Sequence, residues 1–193
     1  MTILGITGGI GSGKSTVSEL FRMSGVPIYT ADDESKKLVA TSPVIREKLI
    51  AMFGEDLYKD GVLNRALLAS HIFTDNEKMN KVNAIIHPEV EKHFEHWVAC
   101  HSKYPIVAHE AAILFESGFQ RLVDKVVMVY APLEIRIERV MKRDNISKEL
   151  VEARINNQMT DEEKAKLSDF VIVNDDTCSL IEQVLAVLQQ VKK

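Results

Sequence analysis

Eight residues near the start of the chain have the spacing of a phosphate-binding loop. Gly8, Gly13, Lys14 and Ser15 satisfy the pattern G-x-x-x-x-G-K-[ST]. In such a loop, glycines allow backbone N–H groups to point at phosphate oxygens, the lysine reaches the β- and γ-phosphates, and the hydroxyl ligates Mg²⁺. A glycine-rich turn that binds nothing is the alternative, but a strand pattern before the loop and an amphipathic helix pattern after it favour phosphate binding.

We expect ATP to be the ligand of this loop. The helix that follows contributes the positive end of its dipole, and the hydroxyl of Thr16 can lie near the α-phosphate. The loop residues expected to bind ATP are Gly9, Gly11, Ser12, Gly13, Lys14, Ser15 and Thr16.

Phosphate loops also occur in GTP-dependent switches, which need an Asn-Lys-x-Asp motif after a strand and an Asp-x-x-Gly loop. The nearest match to the first motif, at 80–83, reads Asn-Lys-Val-Asn and has a helical pattern. No glycine in the chain has an aspartate three residues before it. The sequence therefore favours a small kinase that passes the γ-phosphoryl group of ATP to a small molecule, with a switch as the rival.

A kinase of this kind needs a carboxylate beside the acceptor hydroxyl, and acidic residues follow two predicted strands. Asp32 and Asp33 come just after the second strand, at the end of the sheet where ligands bind in α/β proteins. Asp32 is the candidate base and Asp33 a candidate helix N-cap, although both could be caps. Glu110 ends the third strand and is the candidate to hold Mg²⁺ through water.

Three arginines can neutralise charge on the transferred group. Arg136, Arg139 and Arg143 are spaced i, i+3, i+7 and share one helix face, which we expect to stay out of the core. A solvated charge stripe is the alternative. The functional interpretation is a lid, in which this helix and the next one, which carries Arg154 and Gln158, fold over ATP.

Composition places the chain among ordinary globular proteins. It has 193 residues, 46% hydrophobic and 27% charged, with a net charge of −4. This balance argues against a general nucleic-acid or membrane binder, and no apolar run approaches the roughly 20 residues of a membrane span. Cys100 and Cys178 lack metal-site spacing and indicate reduced thiols in a cytoplasmic protein. We expect no obligate protein partner.

Strand and helix patterns alternate, which predicts an α/β fold. The sheet is expected to be parallel and five-stranded, with helices on both faces and strands at 2–7, 27–30, 104–109, 125–130 and 170–173. Further predictions are a turn-rich loop at 54–63, a helix with Pro88 in its first turn, and capping boxes at 74–77 and 160–163.

Several short motifs, in their order and spacing, resemble the dephospho-CoA kinase family over essentially the whole chain. They are the opening Thr7–Val17 signature, Ala31-Asp32, Asp60-Gly61-Val62-Leu63-Asn64-Arg65, Ile86-His87-Pro88, Leu114-Phe115-Glu116, the lid residues Arg139, Arg143 and Gln158, and Val171-Ile172-Val173-Asn174. The chain departs from the family pattern at Thr30, often Asp; at Glu110, usually Asp; at Ala112, usually Pro; and at Arg136, commonly Gln.

The resemblance implies ATP-dependent phosphorylation of the ribose 3′-hydroxyl of dephospho-CoA, an alcohol acceptor, to give coenzyme A and ADP. It implies that Asp32, Lys14 and Arg143 are catalytic, and that Arg139 and Asn174 join the loop in binding ATP. The implied acceptor-binding residues are Asp32, Arg65, His87, Leu114, Phe115 and Glu116. Apolar character alone would place Leu114 and Phe115 in the core, and a structural role before proline is the alternative for His87. The rival enzyme is another small P-loop kinase, acting on a nucleotide or a sugar acid.

The expected organisation is one P-loop kinase domain, 1–193, with three parts. These are a nucleotide-binding core at about 1–31, 104–131 and 168–193, an acceptor-binding insertion at about 32–103, and the lid at about 132–167.

Overall fold

The computed structural model describes residues 1–59, 61–72 and 75–191. Asp60 of the Asp-Gly motif and Thr74 of the first predicted capping box lie outside the described residues. The chain forms two compact units. The first contains Met1–Thr30 and His101–Lys193, and the second contains Ala31–Cys100.

Strands occur in both units of the described chain. They are β1 (Thr2–Thr7), β2 (Ile28–Thr30), β3 (Tyr58–Lys59), β4 (Val62–Leu63), β5 (Ile106–Glu110), β6 (Lys125–Tyr130) and β7 (Phe170–Val173). The first unit holds a parallel sheet in the order β2-β5-β1-β6-β7, which confirms the predicted five-stranded parallel sheet.

Helices fill most of the remaining described chain. They are α1 (Lys14–Met23), α2 (Ala31–Thr41), α3 (Pro43–Phe53), α4 (Arg65–Ile72), α5 (Asn76–Cys100), α6 (Leu133–Asp144), α7 (Lys148–Asn156), α8 (Asp161–Leu167) and α9 (Leu180–Val191). Short 3₁₀ helices lie at Glu55–Leu57 and Phe119–Leu122.

The sheet is built around β1, whose last four residues are buried. Residues 4 and 6 of β1 pack in one core cluster with apolar side chains of α1 and α9, among them Phe21 and Val187. From β1 the chain runs to β2 and β5 on one side, then crosses to β6 and β7 on the other. Ligands of open α/β sheets bind where the strand order reverses, so the carboxyl end of β1 is the expected site.

The second unit contains α2 to α5 and a small antiparallel hairpin of β3 and β4. The predicted turn-rich loop at 54–63 is therefore wrong in part, because two-residue strands flank its turn. The helix predicted to begin near Pro88 is also wrong, because Pro88 lies inside α5. The helix continues through Pro88 because buried apolar residues spaced four apart lie on both sides of it: Val82, Ile86, Val90 and Phe94.

His109 of β5 is buried between two aromatic rings. Its position predicts how the free energy of unfolding depends on pH. Its ring centroid lies 5.5 Å from that of Tyr29 and 5.4 Å from that of Phe119. Burial lowers the pKa of His109 from 6.5 to about 4. Between these values the unfolded chain binds a proton that the folded protein rejects, so the free energy of unfolding falls as the pH falls.

We expect the fall attributable to His109 to be about 2 kcal/mol between about pH 7 and pH 5. Urea unfolding of the native protein and of His109→Phe at both pH values measures it, because the variant lacks the titrating group. Equal pH dependence in the two proteins would contradict the prediction.

Candidate active site

The phosphate loop joins the end of β1 to the start of α1. Gly11 and Gly13 have φ of 81° and 89°, a backbone region that favours glycine. Gly13 occupies the N-cap position of α1 and supplies no side-chain cap. The first-turn N–H groups of a helix lack intrahelical acceptors, so this helix start can accept an anion. Lys14 is half-buried, and Ser15 and Thr16 are exposed beside it.

Ser12 offers a direct test of whether the loop fits phosphate. Its side chain is buried, yet among the described residues its Oγ has no hydrogen-bond partner. A buried hydroxyl without a partner is costly, because it has lost its hydrogen bonds to water. The cost is removed if an oxygen-rich ligand such as a phosphate group accepts a hydrogen bond from Ser12.

Asn174 and Arg139, which the resemblance implies bind ATP, lie beside the loop. Asn174, the first residue after β7, is buried and donates from Nδ2 to the Ser12 carbonyl at 2.8 Å. Arg139 of α6 donates from Nη1 to the Asn174 carbonyl at 3.2 Å and from Nη2 to Asp176 at 2.6 Å. A side chain at Gly13 would collide with Asn174. Three residues predicted to bind ATP, far apart in sequence, are thus brought together.

Arg143 lies one turn further along α6, in a different set of contacts. Its Nε and Nη2 donate to Asp144 at 2.7 and 3.1 Å, and Arg154 of α7 donates to the same carboxylate at 2.8 Å. The Arg143 hydrogen bonds hold the pKa of Asp144 below its ordinary value. The Arg143 side chain is 61% exposed, so it can also reach a ligand.

Arg136 corrects the prediction that the arginine face of this helix stays out of the core. It is 3% exposed, and its Nε donates to the Ile10 carbonyl at 2.9 Å. It also forms an ion pair with Asp161, the first residue of α8. The exception is possible because these partners compensate the buried guanidinium. The sequence pattern carried no signal for either partner.

Glu110 is the last residue of β5, and the Leu114-Phe115-Glu116 segment follows that strand. Glu110 is buried and stands between Ile6 of β1 and Thr30 of β2 in the sheet register. Leu114 is fully buried and lies against Gly5 of β1, which is a core position. Phe115 is half-buried.

Lys164 is a buried residue that the sequence analysis missed. It is 0% exposed and lies 2.9 Å from both the Ala112 carbonyl and Glu116 Oε1. The same Glu116 oxygen accepts from the Met159 N–H at 2.9 Å. Lys164 lies in the polar run Asp-Glu-Glu-Lys-Ala-Lys, which indicates a solvated helix. Only these tertiary contacts reveal the buried lysine.

We expect Glu116→Ala to lower the free energy of unfolding by about 3–5 kcal/mol, because it leaves the Lys164 ammonium buried without its carboxylate. Chemical denaturation measures the change. Glu134→Ala is the matched control, because the ion pair of Glu134 with Lys148 is exposed and should matter little. The double variant Glu116→Ala/Lys164→Met should recover part of the loss. A stable single variant would contradict the prediction.

The second unit holds the candidate base and two predicted acceptor residues. Asp32 is exposed in the first turn of α2. Asp33 is not the predicted N-cap, because α2 begins at Ala31; it lies in the first turn, 3.2 Å from Lys36. His87 is half-buried in α5, and burial lowers its pKa.

Arg65 begins α4 and borders a pocket of about 220 Å³ in the second unit. Lys36 is the other cationic residue that lines this pocket. Most of the lining is apolar, from Val39, Leu63, Leu68, Ala69 and Ile72. The pocket therefore combines two positive charges with an apolar wall.

The first unit has the architecture of a P-loop kinase: a parallel sheet, a glycine loop at its central strand, and arginines on the helix that follows β6. A sequence model of the family described as dephospho-CoA kinase matches residues 2–179. The chain belongs to the dephospho-CoA kinase family.

Individual relatives agree with this assignment. The dephospho-CoA kinase of Bacteroides fragilis is 51% identical over 185 residues, covering 96% of this chain and 90% of that protein. A crystal structure of a Thermus thermophilus protein matches with a TM-score of 0.86 and 36% identity, covering 98% and 97% of the two chains. The dephospho-CoA kinase of Campylobacter jejuni matches with a TM-score of 0.72 and 27% identity, covering 98% and 96%.

Proposed function

We propose that this protein transfers the γ-phosphoryl group of ATP to the ribose 3′-hydroxyl of dephospho-CoA, which gives coenzyme A and ADP, the last step of coenzyme A synthesis. The observation that carries the proposal is the match of the family model over residues 2–179. It is supported by the phosphate loop, where the buried Ser12 hydroxyl has no hydrogen-bond partner among the described residues. We infer the nucleotide site from the fold and its phosphate loop, and we infer the acceptor from the family.

The loop residues would hold the phosphates of ATP. Backbone N–H groups at the start of α1 and the Ser12 hydroxyl would donate to phosphate oxygens, and Lys14 would stabilise the charge that develops on the β- and γ-phosphates. Arg139 and Asn174 flank the loop and complete this side of the site. Arg143 is the proposed catalytic arginine, supplied by the last turn of α6.

We propose Ser15 and Glu110 as the residues that would hold Mg²⁺, with Glu110 acting through water. Among the described residues, no three His, Cys, Asp or Glu side chains are grouped to hold a metal. The pair still fits Mg²⁺, which usually keeps several waters and takes one or two protein ligands plus substrate phosphates. When bound, the ion would neutralise charge on the β- and γ-phosphates.

Asp32 is the proposed general base. Its carboxylate would accept the proton of the 3′-hydroxyl as that oxygen bonds to the γ-phosphorus, and the bond from phosphorus to the β–γ bridging oxygen breaks to release ADP. The support is the place of Asp32 in the chain, two residues after β2 ends. Asp32 would both orient the 3′-hydroxyl and accept its proton.

The acceptor would be held by both charged and apolar residues. Dephospho-CoA carries a pyrophosphate and a long, largely uncharged arm, and the pocket beside Arg65 offers cations and an apolar wall. Arg65 is the proposed contact to the pyrophosphate. We further propose His87, Phe115 and Glu116 as acceptor-binding residues, on the resemblance of their motifs. Leu114, which the resemblance also implied, is fully buried against Gly5 and belongs to the core.

A coupled ADP-release assay tests the proposal across dephospho-CoA, AMP, CMP, shikimate and gluconate. We expect acceptor-dependent release of ADP with dephospho-CoA alone. Stimulation by one of the other acceptors instead would identify a different small kinase. Nucleotide binding without any acceptor-dependent turnover, or a preference for GTP, would favour a switch and overturn the proposal.

We propose that the reaction takes place in the cytoplasm. Cys100 and Cys178 are both exposed free thiols, which are typical of a reducing compartment. Within residues 1–59, 61–72 and 75–191, no helix combines the length and apolar character needed to cross a membrane.

A further inference from the structure

Ile10 lies at the tip of the phosphate loop. Its backbone N–H and its backbone carbonyl both form hydrogen bonds with side chains of the predicted lid. The Ile10 carbonyl accepts from Arg136 Nε at 2.9 Å, and the Ile10 N–H donates to Gln158 Oε1 at 2.9 Å. The Ile10 N–H is therefore engaged by Gln158 rather than directed at a phosphate. The tip of the loop is fixed from the side of α6 and the turn after α7.

Arg136 is itself held from a second direction. Its ion pair with Asp161 has side chains only 4% and 15% exposed. Asp161 directly follows Thr160, which forms a capping box with Glu163 at the start of α8. The cap fixes the helix start, and the helix start fixes the carboxylate that orients Arg136.

Two loop glycines are required by this contact. A Cβ atom on Gly9 would lie 2.2 Å from Arg136 Nη2, and one on Gly11 would lie 2.5 Å from the Arg136 carbonyl oxygen. The Ile10 side chain packs on a small core cluster that contains Ile137 and Val140. We expect Gly9 and Gly11 to let phosphate groups approach the loop backbone. Because they lack side chains, they also let Arg136 of α6 pack closely against the loop.

We propose that Arg136 and Gln158 are positioning residues for the phosphate loop: together they hold the Ile10 backbone so that the remaining loop N–H groups face the phosphates. The inference rests on the proposed ATP binding. Arg136 thus differs in role from Arg139 and Arg143, although the three share a helix face by spacing. The loop and the start of the predicted lid act as one preorganised element.

Two independent variants remove the two bonds. Gln158→Leu deletes the acceptor for the Ile10 N–H, and Arg136→Met/Asp161→Asn deletes the guanidinium without leaving a buried unpaired carboxylate. We expect each to weaken ATP binding about tenfold in calorimetry, and to leave AMP binding within about twofold, because AMP lacks the β- and γ-phosphates. Amide hydrogen exchange at Ile10 should be faster in both variants. Gln158→Glu keeps an acceptor for the Ile10 N–H, so its amide hydrogen exchange at Ile10 should stay near the native rate.

Arg22→Met is the matched control, because Arg22 pairs with Glu19 on an exposed surface of α1. Its ATP affinity should equal that of the native protein. ATP affinity unchanged in both variants would overturn the inference, as would equal losses for ATP and AMP together with a lower melting temperature. Failure of the native protein to bind ATP would overturn the proposed function and this inference together.

Discussion

Replacing Lys14 with alanine is expected to lower kcat for phosphorylation of dephospho-CoA by about a thousandfold while the protein stays folded. The ammonium group is the cation that the loop motif provides for the β- and γ-phosphates, where negative charge develops as the phosphoryl group moves. The half-buried Lys14 lies in the first turn of α1, a position where alanine is a good helix former. The loss should therefore fall on catalysis and not on stability.

Steady-state kinetics and thermal unfolding of Lys14→Ala measure the two effects separately. Lys48→Ala is the control, because Lys48 is exposed in the middle of α3. The control should keep native kinetics. A Lys14→Ala protein that turns over near the native rate would remove Lys14 from the catalytic residues.

Asp32→Asn is expected to reduce kcat by about 10²–10⁴-fold, the range that general bases contribute. Asparagine preserves the size of the side chain and its place in the first turn of α2, but it cannot accept the proton of the 3′-hydroxyl. The KM for ATP should change little, because the proposed role concerns the acceptor.

Asp33→Asn provides a control one residue away. Asp33 is exposed, lies in the same helix turn and pairs with Lys36. If the two variants lost activity equally, the effect would belong to the charge of the helix start and not to a base. Near-normal turnover in Asp32→Asn would exclude it as the base.

Local patterns were sufficient for much of the first unit. β1, β6 and β7 begin and end where the sequence predicts, because each has a clear apolar pattern bounded by glycine, proline or polar residues. α5 was predicted incorrectly because the local rule for Pro88 competes with a buried stripe on both sides of it. Packing outweighed the lost hydrogen bond of the proline.

In the candidate site, too, local sequence predicts some residues and tertiary contacts determine the others. The loop residues follow from a motif that is contiguous in sequence. The Asn174 bond to Ser12 joins residues 162 positions apart, and the Arg136 bond to Ile10 joins residues 126 apart. Spacing within one helix indicated that Arg136 and Arg139 would share a face. It carried no information on the partners that bury the first and place the second beside the loop.

The sheet order has a consequence for how the protein is made. β1 is synthesised before the other strands of its sheet, yet it pairs with β5 and β6, which begin at Ile106 and Lys125. At ribosomal rates of about 5–20 residues per second, the central strand waits for roughly 5–20 seconds before its neighbours exist. During that interval an apolar strand leaves the ribosome without either hydrogen-bonding partner. We therefore expect the nascent chain to be prone to aggregation while the second unit is being translated.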